Sequence, residues 1–97
     1  MKVTIHQREN ESVILKIEGR VLAPKVSELH RAWQDLAPCL GSRKLSVDIC
    51  GVTFIDATGK RLLAEIHAKT GAEFLADTPL TKYFAEQAQQ DLRTQSR

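Results

Sequence analysis

Cysteine is scarce in this sequence, with only Cys39 and Cys50, and neither sits in the paired short spacing that a zinc site needs. Both are expected to be reduced and structural. Long apolar runs are missing too. No stretch approaches the roughly 18 apolar residues that span a bilayer, and the N-terminal MKVTIHQREN has no apolar stretch of the signal-peptide kind. A soluble, cytoplasmic protein without membrane insertion is therefore expected. Like charges never run together for five or six residues: 14 basic and 12 acidic side chains are interspersed, for a formal net charge of +2. That balance describes a solvated surface and argues against direct nucleic-acid binding.

What is present suffices for one domain. A chain of 97 residues that is 42% hydrophobic can bury a single modest core, so residues 1–97 are expected to form one unit. Apolar residues alternate with polar ones in Val3-Thr4-Ile5-His6 and again at Val13, Leu15 and Ile17, on either side of the polar turn Arg8-Glu9-Asn10-Glu11. The pattern predicts an antiparallel hairpin whose second strand ends at Gly19. Pro24 suits a first helical turn, and Val26, Leu29, Trp33 and Leu36 recur at steps of three and four, the mark of an amphipathic helix.

Pro38 stops that helix, Gly41 and Ser42 turn the chain, and Lys44 to Cys50 make a third strand with Leu45, Val47 and Ile49 on one face. A strand–helix–strand crossover predicts that this strand runs parallel to the second. A helix from Thr58 or Gly59 follows, with Leu62, Leu63 and Ile66 inward and Lys60, Arg61, Glu65 and Lys69 outward, ending at Gly71. Ala72 to Ala76 form a short fourth strand. Thr78 then caps a third helix with Pro79 at its first position and Leu80, Tyr83 and Phe84 as its apolar face, and the polar tail from about Gln89 frays. The predicted order is β-β-α-β-α-β-α, an α/β fold with a mixed sheet of about four strands covered by helices. Its core should hold Val3, Ile5, Val13, Leu15, Leu45, Val47 and Ile49 from strands, and Leu29, Trp33, Leu36, Leu62 and Ile66 from helices.

Most candidate chemistry dissolves on inspection. A phosphate loop ending at Gly59-Lys60 needs a glycine where Phe54 stands and a Ser or Thr where Arg61 stands. His6, His30 and His67 fall on three separate elements, none at metal-ligand spacing, and no local frame activates a serine. No catalytic residue, metal or cofactor is expected. Trp33 belongs to the helical stripe and reads as core, while Lys60 and Arg61 read as a solvated helix face unless something binds them. The segment Asp56-Ala57-Thr58-Gly59 joins a buried strand to a helix. It reads either as a simple cap or as a place where an exposed hydroxyl meets free backbone N–H groups that favour negative charge.

The run from Leu45 to Gly59, LSVDICGVTFIDATG, resembles the signature of the STAS domain found in bacterial anti-sigma factor antagonists, and Gly19-Arg20-Val21-Leu22 resembles that family's turn before the first helix. The resemblance implies a non-enzymatic switch in which Thr58 is the phosphoacceptor and Asp56, Ala57 and Gly59 shape its loop. It also implies a partner, an anti-sigma factor that is itself a serine/threonine kinase, with a phosphatase restoring the binding form. Lys60 and Arg61 stand where the family usually has a Leu-Gly pair, in the turn that partners contact, and are expected to bind the partner. The alternative under the same resemblance is an accessory STAS subunit that packs on the ATPase of a lipid-trafficking ABC transporter.

Overall fold

The computed structural model describes residues 1–8 and 11–95. Strands β1 (Lys2–Arg8) and β2 (Ser12–Val21) pair antiparallel, with Val3 opposite Ile17 and Ile5 opposite Leu15. Helix α1 (Ala23–Leu36), a short 3-10 turn (Ala37–Cys39), β3 (Lys44–Ile55), α2 (Ala57–Thr70), β4 (Glu73–Leu75) and α3 (Pro79–Gln95) complete the predicted order. The sheet runs β1-β2-β3-β4, with β2, β3 and β4 mutually parallel. Of the predicted hairpin turn, Glu9 and Asn10 lie outside the described residues, as do Ser96 and Arg97 of the tail. The backbone of α3 stays helical past Gln89, to Gln95.

Both crossovers step in the same direction along the sheet, so right-handed connections put α1 and α2 on one face. Val13, Leu15, Ile17, Leu45, Val47, Ile49 and Phe74 meet Leu29, Trp33, Leu36, Leu62, Leu63 and Ile66 in the single core, which Phe84 and Ala88 of α3 extend. Two expected members fall short. Ile5 is 40% exposed and Val3 only half-buried, because β1 is an edge strand that the helices do not fully cover.

The apolar face of α3 differs as well. Leu80 and Tyr83 are 47% and 49% exposed, while Thr81, Phe84 and Ala88, at steps of three and four, point inward. Thr78 is the cap expected: its Oγ1 accepts the Thr81 N–H at 3.0 Å, and Thr81 Oγ1 accepts the Thr78 N–H at 3.0 Å, a reciprocal box that satisfies two terminal donors.

Strands β2 and β3 both run further than their alternation suggests. Their register slips between Lys16 and Glu18 and between Gly19 and Arg20, each time with an extra residue on β3. These are β-bulges, and they turn the inward step from two residues to three, so Val52 and Ile55 follow Ile49 into the core. At the first bulge, Asp48 Oδ1 accepts the N–H of Cys50 at 2.9 Å. Gly19, at φ +89°, supplies the left-handed backbone at the second, and the lengthened strands deliver Val21 and Ile55 side by side beneath the start of α2.

Candidate functional site

The site begins where β3 stops. Asp56 has extended backbone, its N–H donates to the Val21 carbonyl at 3.0 Å, and its own carbonyl accepts the Lys60 N–H at 3.0 Å to start α2. Its carboxylate serves two helices. Oδ1 accepts the Gly59 N–H at 2.9 Å as the cap of α2, and Oδ2 accepts the Ala23 N–H at 2.6 Å at the head of α1. The α1 cap residue is Leu22, which has no side-chain acceptor of its own, so Asp56 supplies it from across the chain. Asp56 thus anchors the loop and does not engage the Thr58 hydroxyl.

Gly59 is buried directly over the strand ends. A Cβ there would lie 2.8 Å from Ile55 Cγ2 and 2.9 Å from Val21 Cγ1, closer than carbon atoms approach, so only glycine lets α2 sit this low on the sheet. Ala57 and Thr58 remain exposed. The Thr58 hydroxyl has no hydrogen-bond partner among the described residues. Three other threonines do have partners: Thr70 Oγ1 donates to the Ile66 carbonyl at 2.6 Å, and Thr78 and Thr81 are tied to each other.

Thr58 opens onto a cleft of about 370 Å³ between α1 and α2. Ala23, Val26, Ser27 and His30 form one wall; Thr58, Arg61, Leu62 and Glu65 form the other. At the lower end, His30 Nε2 lies 3.9 Å from Glu65 Oε2, and Lys69 Nζ lies 3.8 Å from Glu65 Oε1. Arg61 has no ion pair among the described residues.

Lys60 and Arg61, expected to act together, diverge. Successive helical residues are about 100° apart, which turns Arg61 into the cleft and Lys60 toward α3. Lys60 Nζ sits 5.8 Å from the Tyr83 ring centroid and 5.9 Å from that of Phe84, a cation–π contact between helices. The α1 wall was not anticipated. Its signal is the stripe Ala23, Ser27, His30 at steps of four and three beside the buried stripe, but nothing in the sequence says which helix it faces. Among the described residues no group of three or more His, Cys, Asp or Glu side chains could hold a metal, and no helix is long and apolar enough to cross a membrane.

No family model matches the chain, and no curated protein matches it. Among solved structures, one described as "Crystal Structure Analysis of Mglu" superposes with a TM-score of 0.61 at 22% identity, over 78% of this chain. The matched region is 19% of that much longer chain, and at this identity the likeness concerns the fold alone.

Proposed function

We propose that this chain is a STAS-like, non-enzymatic binding switch of the anti-sigma factor antagonist kind, acting in the cytoplasm, with Thr58 as its phosphoacceptor. The observation that carries the reading is an exposed, unengaged hydroxyl at the mouth of an interhelical cleft, on a loop that Asp56 fixes from two sides. A kinase requires a reachable hydroxyl, and a switch requires that the fold outlast the modification. Thr58 meets both needs, since its hydroxyl makes no hydrogen bond among the described residues.

The partner in this scheme is an anti-sigma factor that is also a serine/threonine kinase. It binds the unmodified chain and moves the γ-phosphoryl group of ATP to Thr58 Oγ, while the hydroxyl proton passes to a base of the kinase and ADP leaves. Phosphate adds roughly −1.5 to −2 charges to the docking surface, which expels the partner, and a phosphatase restores the binding form. The test is incubation with the cognate kinase and ATP, site mapping by mass spectrometry, and calorimetric titration of both forms. Phosphate on Thr58 and at least tenfold weaker binding afterwards are expected. Phosphate on Thr53 or Thr70 instead, or equal affinities, overturns the reading.

A further inference from the structure

The regulatory step can be taken one stage further, resting on the reading of Thr58 as phosphoacceptor. We infer that phosphate on Thr58 is held in the α1–α2 cleft by the Arg61 guanidinium from its own helix, with the Ser27 hydroxyl donating from the opposite wall, so that the modified chain fills its own docking cleft.

Helical geometry selects these two residues. Arg61 lies three residues beyond Thr58 on the same wall, a rise of about 4.5 Å, while Glu65 lies seven beyond, about 10 Å away. His30 Nε2 lies 3.9 Å from Glu65 Oε2, which places it toward the lower end of the cleft, on the Glu65 side of Arg61. Ser27 sits one turn above His30 on α1, facing the level of Arg61.

Charge points the same way. His30, Arg61 and Glu65 are the titratable groups lining the cleft, with Asp56 at its head. Glu65 already has Lys69, and His30 when that ring is protonated, and Asp56 is engaged by two backbone N–H groups. Arg61 is the cleft cation without an ion pair among the described residues, and its forked donors suit a phosphate. Lys60 is diverted to the α3 aromatic rings, so it does not share the task.

The experiment needs no kinase. Full-length protein carrying phosphothreonine at position 58 is made by chemical ligation, and its phosphorus NMR shift is titrated with pH beside a phosphopeptide spanning residues 54–63. The folded protein should titrate roughly half a unit lower than the peptide, because a neighbouring cation favours the dianion. Arg61→Ala should recover at least half of that difference, Ser27→Ala a smaller part, and Lys60→Ala none. A midpoint equal to the peptide's, or one unmoved by Arg61→Ala, overturns the inference, the latter assigning the shift to the helix terminus alone. An unmoved midpoint in Ser27→Ala overturns the contact across the cleft. Failure of a natural kinase to modify Thr58 would sink the proposed function and leave this titration unaffected.

Discussion

The Asp56 carboxylate accepts the N–H of Ala23, 33 residues earlier in the chain, at 2.6 Å while its other oxygen caps α2 through Gly59. One side chain therefore sets the relative position of the two helices that form the cleft. Removing an N-cap acceptor costs about 0.5–2 kcal/mol, and losing the link to α1 as well should bring Asp56→Ala to roughly 1–3 kcal/mol in urea unfolding. Asp56→Asn keeps one carbonyl acceptor and should recover about half. The sharper readout is amide exchange, in which the Ala23 and Gly59 protons should both speed up in Asp56→Ala; acceleration of Gly59 alone would show that the bond to α1 does not persist in solution.

Gly59→Ala sets two effects against each other. Alanine favours a helix over glycine by about 1 kcal/mol, whereas forcing a methyl into a packed site costs about 1–3 kcal/mol. The methyl would strike Ile55 Cγ2 and Val21 Cγ1, which belong to stiff β-branched side chains buried at 2% and 0% exposure, so neither can swing away. Net destabilisation of up to about 2 kcal/mol is expected from the denaturant midpoint. A stabilised variant would mean that α2 lifts off the strand ends at little cost.

These two residues also show what the sequence could disclose. Gly59 and Asp56 were legible as a loop because they interrupt an apolar run at a fixed place. The strand pattern was legible up to Ile49 and then failed, since a bulge changes the inward step from two to three and leaves no alternation to read. Ile5 was misplaced because a period of two assigns a face but does not say whether a helix covers that part of it. For Tyr83, a place in the apolar face of the third helix suggested burial, but its neighbour Phe84 takes the inward position and the exposed ring receives Lys60. The cleft itself was beyond reach, because the packing of α1 against α2 is set by crossover handedness and by Asp56 together.

Cys50 gives a pH-dependent prediction. Burial, then the hydrogen bond and negative charge of Asp48, raise its thiol from 9.0 to about 11. The neutral thiol is thus favoured in the folded state. Its contribution to stability is fully present below about 9 and lost as pH climbs through about 11, because the unfolded chain releases its proton first. Iodoacetamide at pH 8 should alkylate the exposed Cys39 and leave Cys50 largely unmodified, with Cys50 reacting only as the pH nears 11 or on addition of denaturant. Equal labelling of both at pH 8 would contradict the half-buried, thiol-favouring setting of Cys50.

The neighbours Lys60 and Arg61 offer a separation of structure from function within one helical turn. Lys60 is half-buried against α3, and losing its contact with Tyr83 and Phe84 should cost about 0.5–1 kcal/mol of stability. Arg61 is exposed on the cleft wall without an ion pair among the described residues, so Arg61→Ala should leave stability within about 0.5 kcal/mol. Partner binding should show the reverse order. Under the proposed switch, Arg61→Ala removes a cation from the cleft wall and should weaken the unphosphorylated complex several-fold. Lys60→Ala, whose charge is turned to the far side of the helix, should leave affinity within twofold. Unfolding curves and calorimetric titrations on the two single variants decide the matter. If both lose affinity equally at unchanged stability, the Lys60 side chain leaves the aromatic rings when the partner arrives, and the docking surface extends over the α2–α3 seam.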